Sequence, residues 1–258
     1  MISPRRIRHC SSIAPGIVSH YFPVRERRWK RKTGGLKDSA RITCGVKGVC
    51  LTKIPKNESG IDEVLINTHW LHEQVEDFVE QWSARHEQLK TILYHEPILL
   101  GSAGTLLANR QWAGQEPFFI IYGDNLTRFD LRKMLDFHGR QRQPLTIRIY
   151  RRADAKRAGI VCLDENDIVI DFEEKPEKPK SDVGAGGIYI ADNRIFDYYP
   201  KQVDNRSSLA LDLSQHVLPR LVGKMKAYDS GEFSMDIGTP ESLAEARGHW
   251  LQRMHGET

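Results

Sequence analysis

From Gly60 onward, short apolar runs alternate with stripes of apolar residues at helical spacing. Residues 118–121 are four apolar positions in succession, bounded by Pro117 and Gly123. That pattern predicts a short strand buried on both faces of a parallel sheet. Thr127 and Asp130 have capping-box-like spacing, and Leu131, Met134, Leu135 and His138 follow at helical spacing, so a helix is expected there. Upstream, residues 64–66 predict another buried strand. Thr68 or Asn67 would cap the next helix, whose positions Leu71, Val75, Phe78, Val79 and Trp82 share one face.

The remainder continues in the same style. Residues 91–94 read as a strand, and the small-residue turn Gly101, Ser102, Ala103, Gly104 leads into a helix. Residues 145–150 alternate as a strand should, with Leu145, Ile147 and Ile149 on one side. Residues 158–163 and 168–172 form a hairpin across a polar turn at 164–167. Residues 184–192 are a glycine-rich approach to one more strand, and 208–221 carry a helical stripe of Leu209, Leu213, Val217 and Leu221. Two short strands over 226–229 and 233–237 precede Thr239, Pro240 and Glu241, which suit a cap, a first helical position and a first-turn acid. Strand and helix in repeated succession place the chain in the α/β class.

Length and charge refine that picture. At 258 residues the chain can bury a sizeable core as one large domain or two small ones. No apolar run approaches a membrane span. Residues 1–57 hold 14 Lys/Arg against 2 Asp/Glu, a net of +12, whereas residues 58–258 hold 24 against 32, a net of −8. The domain reading is therefore a basic, atypical segment over 1–57 and a mildly acidic body over 58–258. Three of the four cysteines, Cys10, Cys44 and Cys50, lie in the head. None has CxxC spacing, so neither a zinc motif nor a redox motif is supported, and a reducing, cytoplasmic setting is expected. The head lacks sustained periodicity. It reads as poorly ordered, with three functional alternatives: a nucleic-acid contact through residues 25–32, a targeting leader, or a stretch translated in the wrong frame.

Candidate chemistry sits where strands end. Asp124 closes the run at 118–121, and ligands collect at the carboxyl ends of strands in open α/β sheets. With Gly123 allowing close approach, Asp124 is a plausible Mg²⁺ ligand. Asp236 occupies the same kind of seam later in the chain. Lys175, held at a strand end by Pro176, could neutralise a phosphate. The turn at 101–104 either packs tightly on the sheet or offers a flat backbone surface to a nucleotide base. Gly186 and Gly187 leave room for something bulky such as a sugar ring. His69, His72 and His86 read as solvated helix residues rather than metal ligands, since no carboxylate partners them at a recognised spacing.

Five ordered motifs then carry a resemblance: GIDEVLINTHWLHEQVEDF, LLGSAGTL, IIYGDN, the pair FEEKP and GGIYI, and MDIGTPESLAEA. From Gly60 onward the chain resembles the sugar-phosphate nucleotidylyltransferases, closest in look to mannose- or heptose-1-phosphate guanylyltransferases. The resemblance implies a single α/β domain with a Rossmann-like mixed sheet of the nucleotide-diphospho-sugar transferase type. It implies that Asp124 and Asp236 hold Mg²⁺ and that Lys175 holds the phosphate of a sugar 1-phosphate. Glu174, Gly187 and Gly159 would contact the sugar, and Glu96, Gly101 and Gly104 would face the base. The implied reaction is in-line attack of the sugar 1-phosphate on the α-phosphorus of a nucleoside triphosphate, GTP being favoured, with release of pyrophosphate. No membrane or nucleic-acid partner is expected, and a homo-oligomer stays open.

One departure stands out. Family members begin with a strand and a Gly-x-Gly-Thr-Arg loop that grips the triphosphate, whereas the first 55 residues here offer only Thr33, Gly34, Gly35 and Leu36, with Arg41 further on. A head translated in the wrong frame or a replaced first exon would account for this, and reading the other two frames of the coding DNA would test it. Without that loop the chain reads alternatively as an impaired binding or regulatory homologue.

Overall fold

The computed structural model describes residues 49–53, 61, 63–87, 89–127, 130–151, 158–201, 210–232 and 234–255. Apart from 49–53, the basic head lies outside them. Among the described residues the strands are β1 (Val49–Lys53), β2 (Glu63–Thr68), β3 (Lys90–His95), β4 (Phe118–Tyr122), β5 (Asn125–Thr127), β6 (Leu145–Arg151), β7 (Gly159–Leu163), β8 (Val169–Glu174), β9 (Val183–Ala191), β10 (Met225–Asp229) and β11 (Ser234–Asp236). The helices are α1 (His72–Ser83), α2 (Gly101–Ala108), α3 (Arg110–Ala113), α4 (Leu131–Gly139), α5 (Leu213–His216) and α6 (Pro240–His255).

Nine strands form one mixed sheet in the order β10-β6-β9-β4-β1-β2-β3, with the β7–β8 hairpin attached through β9. Strands β2 and β3 are parallel, as are β6 and β10. The run at 118–121 is buried on both faces as expected, because its side chains alternate between two cores. Phe118 and Ile120 join Leu65, Leu145, Ile147 and Tyr189 on one face. Phe119 and Ile121 join Val64, Ile66, Met134 and Ile188 on the other, where α1 packs through Val75 and Val79. Burying both faces of each strand requires a helical layer on each side.

The expectation of a parallel surround for β4 is corrected, since both its neighbours, β1 and β9, run antiparallel to it. Strand β1 is antiparallel to β2 as well, and the basic-segment boundary at 57 therefore cuts off a strand at the middle of the sheet. Two predicted caps also fail. Thr68 and Asn67 end β2, and α1 starts after Leu71 with no side-chain cap. Thr127 belongs to β5, and Asp130 itself caps α4 by accepting from the Arg132 amide.

Of the stripe over 208–221, Leu209 lies outside the described residues; within 210–221 the helix begins at Leu213, where Asp212 accepts from the Gln215 amide, and a 3-10 turn carries Leu218–Leu221. The glycines of 184–187 lie inside β9 rather than before it. The hairpin and the Thr239 cap follow the pattern, the latter through the Ser242 amide at 3.1 Å.

Candidate active site

Two residues beyond β4 the chain reverses into β5, which pairs with β11 so that Asn125 faces Asp236. The ribbon exists because the Ile237 amide also donates to the Asp124 carbonyl at 2.8 Å. It brings together two acids that are far apart in sequence. A Cβ placed on Gly238 would lie 3.0 Å from Asp236 Oδ1 and 3.2 Å from Asp124 Oδ2. Both carboxylates thus border one narrow gap beside the Gly238 backbone. The Gly238 amide steadies one side by donating to Asp236 Oδ1 at 2.7 Å. Two carboxylate oxygens around a small, solvent-reachable gap are a donor set suited to a hard divalent cation such as Mg²⁺.

Gly187 stands beside this pair. Its φ is +65°, and a Cβ there would run into the Asn125 side-chain amide. The glycine therefore lets β9 pass directly against the turn that carries Asp124. On the hairpin, Gly159 pairs with Glu174, and a Cβ on Gly159 would meet Phe172 Cζ at 2.8 Å and Glu174 Oε2 at 2.9 Å. Lys175 follows with φ +50°. Its ammonium is exposed, 3.7 Å from Glu174 Oε1, and its amide donates to the Ala158 carbonyl at 3.2 Å. A left-handed non-glycine residue is uncommon enough to mark a positioned side chain.

Glu96, Gly101 and Gly104 sit elsewhere on the same edge. Glu96 is only 1% exposed. Its carboxylate accepts from the Asn67 amide at 3.2 Å, the Leu100 backbone N–H at 3.0 Å and the Thr105 hydroxyl. The side chain turns inward and pins the start of α2 to the end of β2. Gly101 has φ +77°, and a Cβ on it would lie 2.5 Å from the Leu211 carbonyl oxygen. The amides of Ala103 and Gly104 donate to that same carbonyl at 2.8 and 3.1 Å. Of the two readings of this turn, tight packing describes what its glycines touch.

Several participants went unnoticed in the sequence. Ser102 Oγ donates to Asp212 Oδ2 at 3.2 Å and accepts from the Leu213 amide at 2.7 Å. The Tyr122 hydroxyl reaches Ser102 Oγ at 3.4 Å, linking the α2 turn to the strand that leads to Asp124. Burial, with Asp212 nearby, pushes the Tyr122 phenol well above its ordinary range, so it remains a neutral donor. A detectable signal existed for this hub, since Asp212-Leu213-Ser214-Gln215 has capping-box spacing.

A family model described as nucleotidyl transferase matches residues 50–253. A glucose-1-phosphate adenylyltransferase from Clostridium acetobutylicum is 30% identical over 154 residues, covering 57% of this chain and 40% of the relative. The Bacillus subtilis enzyme of the same description is 29% identical over 208 residues, covering 74% and 55%. Among solved structures, a Bacillus anthracis protein described as a glucose-1-phosphate thymidylyltransferase in complex with a sucrose superposes with a TM-score of 0.62. It is 24% identical and covers 71% of this chain and 74% of that one. HddC from Yersinia pseudotuberculosis gives 0.57 at 20% identity, covering 74% and 80%. These likenesses show the fold. The chain spans 40 to 55% of the length of those two curated relatives.

Proposed function

The chain belongs to the nucleotidyl transferase family, and from that premise we propose that it transfers a nucleotidyl group from a nucleoside triphosphate to a sugar 1-phosphate, releasing pyrophosphate. The observation that carries this reading is the shared gap between Asp124 Oδ2 and Asp236 Oδ1 at Gly238. Those two residues would hold Mg²⁺, which when bound neutralises phosphate charge and aligns the reacting phosphate. No covalent intermediate is required, so the protein's share is positioning and electrostatics. Lys175 supplies an exposed ammonium for the phosphate of the sugar 1-phosphate. Gly159, Gly187 and Glu174 leave space and an acceptor for the sugar. Glu96 acts through the α2 turn, holding Gly101 and Gly104 in place. For the donor we propose GTP, on the look of LLGSAGTL and INTHWLHEQVEDF; the adenylyl and thymidylyl descriptions of the relatives make a comparison of bases essential.

A second reading has its own observation. A loop that follows a strand reaches the Asp124 edge only if that strand runs parallel to β4. Strand β1 pairs Val49 with Tyr122 and Lys53 with Phe118, so β1 ends, at Lys53, on the edge opposite Asp124. Strand β1 is thus not a strand that would present a triphosphate-gripping loop beside Asp124. This supports a binding or regulatory homologue with weak turnover.

Pyrophosphate release across four nucleoside triphosphates and a panel of sugar 1-phosphates separates the two readings. Turnover that Asp124→Ala abolishes establishes the enzyme. Saturable nucleotide-sugar binding without turnover in the unsubstituted chain establishes the homologue.

A further inference from the structure

We propose that His72, Glu76 and His95 form a binding site for a transition-metal ion of the zinc class, separate from the Asp124–Asp236 pair. Their ligand atoms all lie within 4.8 Å of one another. His72 Nδ1 and Glu76 Oε1 are 3.2 Å apart, close to the roughly 3.3 Å that separates two ligands on a tetrahedral ion with bonds of about 2.0–2.1 Å. The His72 and His95 rings are 4.3 Å apart between centroids and inclined at 51°, so both imidazoles lie within reach of one ion.

The arrangement follows from the fold. His72 and Glu76 are one helical turn apart on the same face of α1. Leu71, at φ +54°, turns the chain sharply between the end of β2 and the helix, so the first turn of α1 sits over the end of β3. That conformation is strained for a leucine, and such strain collects at functional sites. His95 closes β3, the parallel neighbour of β2. The Thr68 hydroxyl lies 3.4 Å from His95 Nδ1, the kind of outer contact that orients a ligating imidazole and leaves the other ring nitrogen for the ion.

The donor set selects the ion. Two imidazoles and one carboxylate suit Zn²⁺, Ni²⁺ or Cu²⁺ and are poor ligands for Mg²⁺. Three protein ligands leave one position for solvent or an exchangeable ligand. His72 and Glu76 are half-buried and His95 is exposed, so the site is reachable from solvent. Strands β3 and β4 are three places apart in the sheet, about 14 Å at ordinary strand spacing, which separates this cluster from Asp124.

Its position gives it a consequence. His95 adjoins Glu96, whose carbonyl lies 2.6 Å from His69 Nδ1 and whose carboxylate pins Leu100 and Thr105. An ion held by His72, Glu76 and His95 clamps the first turn of α1 to the root of the turn that carries Gly101 and Gly104. This inference does not rest on the transfer reading.

The test is a Co²⁺ titration of the full chain with excess Mg²⁺ present, followed by competition with Zn²⁺. The expected result is one Co²⁺ per chain with visible bands of an imidazole-ligated ion, displaced by Zn²⁺. His72→Gln and His95→Gln should each weaken binding more than about tenfold, and Asp124→Asn should leave it unchanged. His86→Gln controls for other imidazoles. Zn²⁺ should also raise the unfolding temperature of the wild type and leave that of His95→Gln where it was. Full affinity in both His72→Gln and His95→Gln would overturn the assignment, as would loss of Co²⁺ binding on adding Mg²⁺ or in Asp124→Asn.

Discussion

Replacing Glu96 with alanine separates a buried lock from a base-contacting residue. In the wild type the carboxylate meets three donors: the Asn67 amide at 3.2 Å, the Leu100 N–H at 3.0 Å and the Thr105 hydroxyl. The Thr105 hydroxyl has a second acceptor in the Gly101 carbonyl at 3.0 Å, so it can turn away without loss. The Leu100 N–H loses its Glu96 acceptor, whereas the buried Asn67 amide keeps the Thr105 hydroxyl at 3.4 Å. A buried donor left unsatisfied costs about 1–3 kcal/mol, and the Leu100 N–H lies partly in reach of water, so the total is about 2 kcal/mol. With a urea m-value of about 2–3 kcal/mol/M, the midpoint should fall by roughly 1 M. Equilibrium urea unfolding measures this directly. Asn67→Ala should interact strongly with the change, the double variant being less destabilised than the sum of the singles. If Glu96→Ala left the urea midpoint in place and altered only nucleotide affinity, the inward-facing role would be refuted.

Three other outcomes are expected. Asp236→Asn should reduce pyrophosphate release by at least about a hundredfold and blunt its response to Mg²⁺, while moving the unfolding midpoint little because the side chain is exposed; an undiminished rate would contradict the shared-cation geometry. Gly187→Ala forces a side chain to φ +65° and into the Asn125 amide, so denaturant unfolding should report a loss of about 2–4 kcal/mol. His138 is 4% exposed with Thr146 Oγ1 at 2.8 Å from Nδ1, and burial holds its pKa below the ordinary 6.5, with Arg194 assisting and Asp192 opposing. The unfolded chain then binds the extra proton, so stability should fall as pH drops below about 6.5 and level off beneath the folded-state pKa. His138→Gln should lose that component of the pH slope.

The parts of the fold legible in the sequence were those fixed by burial along one segment. Residues 118–121 announce a strand covered on both sides because no polar residue interrupts them. Strand polarity is not written there, since the same four residues serve equally well beside antiparallel neighbours. Thr68 and Asn67 look like caps, but their hydroxyl and amide are taken by His95 and Glu96 from the adjacent strand. Thr127 misleads similarly, because three residues of β5 come between the acid and its helix. Gly101 and Gly104 announce a close approach without naming what approaches, which is the Leu211 carbonyl more than a hundred residues away along the chain. Asp124 and Asp236 were each visible as an acid at a strand end, yet only the β5–β11 pairing brings them to one gap. For His72 the carboxylate one turn later was in plain sight, and the missing partner was His95, which only the β2–β3 pairing supplies.

Strand β1 also has a mechanical meaning. Among the described residues β2 and β3 join the ladder of the other strands only through it, so these five residues are the keystone of an arch. A truncated chain starting after Lys53 would expose two facing rows of unanswered amides and carbonyls on β2 and β4, inviting foreign strands to fill the vacancy. Any shortened version has to begin before Val49 to keep this strand.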